Sequence, residues 1–157
     1  MAEASFHKLI ALALMALALV GVWQGVDTLR RDIAFTTAQT EVSFWGRGSY
    51  RPEPETIILT QQTLDELLSG APANPEYLAM QANYAAWQGY WTEDFREAQA
   101  FGLEAVDAQH AALESRPAHR QGWAKMVEYA SRLHDGKPMR QEAKARVNAL
   151  TALVGPK

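Results

Sequence analysis

Four histidines are the side chains best suited to metal binding or proton transfer, but their spacing matches no ligand or catalytic motif. They are His7, His110, His119 and His134. None lies in a His-Glu-x-x-His arrangement, and none has a second histidine three or four residues away. His110 and His119 flank a helix break at Arg116-Pro117 and could meet in space. Two solvent-exposed histidines are the favoured interpretation, so no metal site is expected.

The other candidates for catalysis or phosphate binding are also incomplete. The chain has no cysteine, which excludes a thiolate nucleophile and a thiolate metal site. Residues 46–48, Gly-Arg-Gly, are too short for a phosphate-binding loop and lack its lysine. Asp65-Glu66 and Glu93-Asp94 are adjacent carboxylates, which point to different helix faces and make poor acid–base pairs. The sequence therefore predicts a protein that is not an enzyme and holds no cofactor.

Tryptophan and tyrosine residues form the second group with possible chemistry. They are Trp45, Tyr50, Tyr84, Trp87, Tyr90, Trp91 and Trp123. Such rings could stack on sugars, with Arg47 and Arg51 holding an acidic sugar, and the candidate glycan-binding set is Trp45, Arg47, Tyr50, Tyr90 and Trp91. The favoured alternative is that the rings fill gaps between alanine-rich helices. Tyr90 and Trp91 are expected in a turn and are therefore the best candidates for exposure.

The elements that position these residues are predicted to be helices. Alanine is abundant, and valine and isoleucine are scarce outside the first 26 residues, which favours close-packed helices over sheets. The formal net charge is −3, and this slight acidity without a long basic run argues against nucleic acid as a partner. The expected fold class is all-α.

Prolines, glycines and capping residues divide residues 54–157 into helices. Asn74 is expected to cap the second helix, with Pro75 at its first position. Thr92 is expected to cap the third, after a turn at residues 89–92. The predicted helices cover residues 54–69, 75–88, 93–115, 118–133 and 139–154. Successive helix pairs indicate a tetratricopeptide-like array of antiparallel hairpins with degenerate repeats.

In helical-hairpin arrays, the first helices of the pairs line a concave face that binds partners. By this analogy, residues 75–88 and 118–133 would carry the partner surface. The candidate contact residues are Gln81, Trp87, Gln88, Gln121, Trp123 and Lys125. The pattern predicts an adaptor for protein partners, with a glycan-binding module as the alternative function.

Residues 9–23 carry no polar side chain, and this apolar run predicts that the protein is anchored in a membrane. At about 1.5 Å per residue they span roughly 22 Å, and roughly 27 Å if the helix continues to Val26, against about 30 Å of bilayer hydrocarbon. Leu9, Leu14, Leu17 and Trp23 are the representative anchor residues, with Trp23 at an interfacial position. The alternatives to a membrane anchor are a cleaved signal peptide and a buried core helix. No small-x-small cleavage site follows the apolar run, which argues against a signal peptide.

The predicted organisation is therefore a tail and single transmembrane helix at residues 1–26, a juxtamembrane helix and aromatic loop at 27–53, and a helical-hairpin domain at 54–157. The positive-inside count slightly favours an internal soluble domain, because Arg30 and Arg31 outnumber Lys8. A very short tail before one apolar run is nevertheless typical of a signal-anchor. We therefore expect a bacterial inner-membrane protein with a periplasmic soluble domain.

Three groups of residues resemble the VpsP-like proteins of bacterial exopolysaccharide gene clusters. They are residues 43–52 (SFWGRGSYRP), residues 77–82 and 87–91 (YLAMQA and WQGYW), and Arg116-Pro117 with Trp123-Ala124. The resemblance covers roughly residues 8–133. It implies a small membrane-anchored accessory protein of polysaccharide synthesis or export, with protein partners and a possible polysaccharide ligand. It implies no catalytic residue.

Overall fold

The computed structural model describes the backbone of residues 2–154 and the side chains of residue 12 and residues 14–153. These residues form six α-helices and no strand, which confirms the all-α prediction. The helices are α1 (Ala2–Phe44), α2 (Pro54–Gly70), α3 (Pro75–Trp91), α4 (Phe95–Ser115), α5 (Arg120–Ser131) and α6 (Lys137–Val154). By its internal contacts the chain forms two compact units, Met1–Thr37 and Ala38–Lys157.

The first unit consists of the greater part of α1, whose described side chains are largely exposed on all faces. Leu14 is 61% exposed, Leu17 68% and Trp23 71%. An ion pair of 2.7 Å joins the guanidinium of Arg31 to the carboxylate of Asp27 one turn away. The side chain of Leu9, the fourth predicted anchor residue, lies outside the described ones. Within the residues that the structure describes, no helix combines the length and apolarity needed to cross a membrane.

The second unit is held together by small residues where its helices meet. α3 packs on α4, α4 on α5 and α5 on α6, and α2 packs on α3. Ala82, Ala85, Ala105 and Ala130 are all at most 1% exposed, and they let neighbouring helices approach closely. Larger side chains fill the remaining space, and the main ones are Val106, Leu113, Trp123, Met126 and Tyr129. The core therefore combines close helix contacts with a few bulky residues.

Local capping chemistry explains where α3 begins. The Asn74 side chain accepts hydrogen bonds from the backbone N–H groups of Glu76 at 2.9 Å and Tyr77 at 3.4 Å. Pro75 occupies the first turn, where its missing N–H costs nothing. Both features were predicted from the sequence, and both are confirmed.

The end of α3 differs from the prediction. The predicted turn at residues 89–92 is wrong, because α3 continues to Trp91 and so contains Tyr90 and Trp91. Gly89 is helical, and its missing side chain lets α4 pack closely, since an added Cβ would lie 3.2 Å from the Ala98 carbonyl oxygen. The predicted cap, Thr92, is also wrong, since Asp94 caps α4 by accepting from the Glu97 N–H at 2.9 Å.

Candidate functional site

A groove lies between α3 and α5 in the second unit. It consists of a cavity of about 490 Å³ and an adjoining cavity of about 330 Å³, which share Asn83, Lys125, Glu128 and Tyr129. The α3 wall is formed by Ala79, Asn83, Ala86 and Trp87, and the α5 wall by Gln121, Ala124, Lys125 and Glu128. Gln109 of α4 and Tyr129 of α5 form the floor. We call this feature the α3–α5 groove.

The floor of the α3–α5 groove is polar, although it is buried. Gln109 and Tyr129 are each 3% exposed, and both line the larger cavity. Among the described residues, neither the Gln109 amide nor the Tyr129 hydroxyl has a hydrogen-bond partner. Both polar groups reach solvent in the cavity, because Gln88 Nε2 is the only described side-chain polar atom that is fully buried without a partner. Two polar groups that face the cavity and bond to no other described side chain are available to a polar ligand.

Gln109 reaches the floor because it interrupts the apolar stripe of α4. The stripe is formed by Ala105, Val106, Ala112 and Leu113, all buried, and Gln109 lies between them at helical spacing. Burial raises the pKa of the Tyr129 hydroxyl, and the nearby Glu128 carboxylate raises it further. Tyr129 is therefore a neutral donor and acceptor at any physiological pH.

A glycine in α5 keeps the floor open. A Cβ at Gly122 would lie 3.0 Å from Gln109 Nε2, 2.9 Å from His119 Nδ1 and 2.8 Å from Leu113 Cδ2. Gly122 is buried and helical, although glycine is unfavourable inside a helix. Its missing side chain leaves both nitrogen-bearing side chains accessible from the cavity.

The smaller cavity carries an excess of positive charge. Its charged lining residues are Arg47, Lys125, Arg132 and Glu128, so three cations face one carboxylate. Glu128 already binds both Lys125 Nζ and Arg132 Nη2, each at 3.2 Å. These pairs are exposed and contribute little stability. Their effect is to hold two cations beside the groove and to leave it net positive.

Aromatic rings at the end of the α3–α5 groove contact one another. The Trp45 ring centroid lies 5.0 Å from Trp91 and 5.6 Å from Tyr84, and Trp87 stacks on Trp91 at 5.4 Å. Trp45 is 2% exposed, and its Nε1 donates to the Glu41 carboxylate at 3.0 Å. These rings therefore pack largely against one another, and Trp87 also lines the smaller cavity.

The predicted glycan-binding residues are distributed around this aromatic cluster. Tyr50 is exposed, but its hydroxyl donates to the Glu41 carboxylate at 2.6 Å. Tyr90 is 65% exposed, and the Arg132 guanidinium lies 5.6 Å from its ring centroid. Trp91 is only partly exposed, and Arg47 is exposed at the smaller cavity. No continuous exposed aromatic platform is formed by the described members of the set.

The predicted partner-binding residues divide into two groups. Trp87, Gln121 and Lys125 line the α3–α5 groove. Gln81 instead donates to the Glu104 carboxylate of α4 at 3.0 Å. Trp123 is 6% exposed and donates to the Pro117 carbonyl at 2.9 Å, and Gln88 Nε2 is buried without a partner away from the groove.

Asn83, Gln109 and Tyr129 were not predicted as site residues. The spacing of Ala79, Asn83, Ala86 and Trp87 places them on one face of α3, which could have indicated Asn83. Gln109 is a polar residue on an apolar stripe, which is a readable signal. The sequence does not mark Tyr129 as a site residue, because a tyrosine on the apolar face of a helix is commonly part of the hydrophobic core.

The three histidines whose side chains the structure describes do not form a metal site together, and the side chain of His7 lies outside the described ones. His110 Nδ1 lies 3.7 Å from the Glu114 carboxylate on α4, whereas His119 lines the α3–α5 groove. In the part of the chain that the structure describes, no cluster of three or more metal-binding side chains occurs. No family model matches this chain, and no curated protein or solved structure matches it at a significant level.

Proposed function

We propose that this protein is a non-enzymatic adaptor whose α3–α5 groove binds an extended segment of a partner protein. The observation that carries the proposal is the continuous groove between the first helices of two successive hairpins. Helical-hairpin arrays use this face for partners, which is an argument by fold analogy. The mixture of small apolar and amide side chains suits a polypeptide, which presents both kinds of group.

The proposal places the adaptor at a membrane. Residues 9–23 are uninterruptedly apolar in sequence, and we propose that they anchor the chain in the bacterial inner membrane with the second unit in the periplasm. The resemblance to VpsP-like proteins suggests an exopolysaccharide synthesis or export machine as the setting. A glycan-binding role is less well supported, because the ring faces of the Trp45, Trp87 and Trp91 cluster are already in contact with one another.

Removing two groove side chains tests the proposal. We expect Asn83→Ala with Lys125→Ala to lower recovery of envelope partners about tenfold, since each substitution removes polar contacts typically worth about 0.5–1.5 kcal/mol. The measurement is affinity purification of the full chain after cross-linking in cells. Asn148→Ala with Lys144→Ala is the matched control, because both residues are exposed on α6 away from the groove. Equal recovery by both double variants, with unchanged circular dichroism, would rule the groove out.

A further inference from the structure

Gln109 and Tyr129 show what kind of segment the α3–α5 groove accepts. The two residues are each 3% exposed and line the cavity, and their polar atoms have no hydrogen-bond partner among the described residues. A glutamine amide offers two donors and an acceptor, and a tyrosine hydroxyl offers one donor and an acceptor. Asn83 adds a second amide on the α3 wall. The natural complement of this set is a main-chain amide, which carries one N–H and one C=O.

The length of the groove agrees with a short extended peptide. Residues 79–87 of α3 form one wall, and at about 1.5 Å per residue they cover roughly 12 Å. An extended chain rises about 3.3 Å per residue, so roughly four residues fit along this wall. The small side chains of Ala79 and Ala124, with Gly122 beneath them, leave room for a backbone to approach the floor.

The charge of the groove indicates acidic side chains in that peptide. Arg47, Lys125 and Arg132 line the smaller cavity against the single carboxylate of Glu128. An aspartate or glutamate seated there would restore neutrality. An acidic oligosaccharide would satisfy the charge equally well, but the tryptophans on which its rings could stack pack on one another and form no open platform.

We infer that Gln109 and Tyr129 are the recognition groups at the floor of the α3–α5 groove, and that they bind main-chain amides of an extended acidic segment of the partner protein. This inference rests on the proposed function and specifies its ligand. It also gives a role to two polar groups that face the cavity without a hydrogen-bond partner among the described residues. Binding of the segment replaces cavity water by direct hydrogen bonds to these two groups.

The test separates ligand binding from stability. The full chain in a mild non-ionic detergent is titrated with acetylated, amidated hexapeptide pools that differ only in one fixed residue: glutamate, glutamine or lysine. The readout is the side-chain amide signal of Gln109 in proton–nitrogen spectra, assigned by its loss in Gln109→Leu. We expect the glutamate pool to shift this signal, the glutamine pool to shift it less, and the lysine pool to leave it unchanged.

Variants extend the same test. Gln109→Leu and Tyr129→Phe each remove hydrogen-bonding atoms and nearly conserve volume, so each is expected to weaken glutamate-pool binding about tenfold without lowering the melting temperature. Gln99→Leu is the matched control on α4, because the Gln99 amide donates to the Arg132 carbonyl at 3.1 Å and accepts from the His134 N–H at 2.8 Å. We expect this control to bind normally and to melt at a lower temperature.

Several results would overturn the inference. Unchanged binding by Gln109→Leu and Tyr129→Phe would do so, and so would a loss of stability in Gln109→Leu equal to that in Gln99→Leu. A shift caused by an acidic uronic-acid trisaccharide and by no peptide pool would assign the groove to a glycan. Partner recovery that still depends on Asn83 and Lys125, when no peptide pool shifts the Gln109 signal, would support the proposed adaptor function. In that case only the assignment of an acidic peptide segment as the ligand is rejected.

Discussion

Replacing Gly46 by alanine is expected to lower the free energy of unfolding by about 2–5 kcal/mol. Gly46 has a φ of 71°, in the left-handed region, where a side chain costs about 1–2 kcal/mol. In addition, the new Cβ would lie 2.1 Å from Cη2 and 2.8 Å from Cζ3 of Trp87. The indole must therefore move, and overpacking of this kind typically costs a further 1–3 kcal/mol. Urea unfolding of the full chain in detergent measures the loss.

Gly48 provides the matched control for this prediction. Its φ is 59°, so Gly48→Ala meets the same backbone strain, but nothing lies within 4 Å of the added Cβ. We expect a loss of only about 1–2 kcal/mol. Because Trp87 lines the α3–α5 groove, Gly46→Ala should also weaken partner recovery, whereas Gly48→Ala should not. Equal destabilisation by the two substitutions would show that Trp87 does not pack against Gly46.

Replacing Leu14 and Leu17 by arginine is expected to release the protein from membranes. On insertion scales, each arginine near a helix centre costs about 2.5–3.5 kcal/mol, and each lost leucine forgoes about 0.3–0.6 kcal/mol more. The two changes together should cost about 6–8 kcal/mol. That exceeds what a short run rich in alanine can supply. The measurement is sedimentation with membranes after an alkaline wash.

The control for the anchor carries arginines at the same spacing farther along α1. Thr36 and Gln39 are exposed, so Thr36→Arg with Gln39→Arg should leave the protein in the membrane pellet. The second unit should keep its helical circular dichroism in both double variants, because its core uses residues from Ala38 onward. Continued sedimentation of the Leu14→Arg, Leu17→Arg protein would contradict the proposed anchor.

Features set by neighbouring residues in the chain could be predicted from the sequence. The Asn74 cap with Pro75 is such a case, because the cap and its donors lie within three residues. Gly89 is the opposite case. From the neighbouring residues alone, a glycine before Tyr90-Trp91-Thr92 indicates a turn. In the structure, the missing side chain of Gly89 instead leaves room for Ala98 and Phe101 of α4. That contact depends on the packing of two helices, which a local reading does not contain.

The candidate site was predictable in part for the same reason. Gln121 and Lys125 lie one turn apart on α5, so their spacing puts them on one helix face, and both line the groove. Gln81 lies toward α4 instead, because the rotation of α3 about its axis is fixed by packing and not by its own sequence. The aromatic residues could be interpreted as packing or as ligand contacts until the ring distances distinguished the two. Trp45 meets Trp91 across a long stretch of sequence.

Site-specific photo-cross-linking tests the adaptor groove most directly. A photoreactive phenylalanine analogue is placed at Gln121, an exposed position on the α5 wall, and at Gln141, an exposed position on α6. We expect Gln121 to give one discrete adduct with an envelope protein, joined through an acidic extended segment when mapped by mass spectrometry. Gln141 should give none. Adducts of equal yield from both positions, or no adduct from Gln121 in cells that make the partner machinery, would contradict the account.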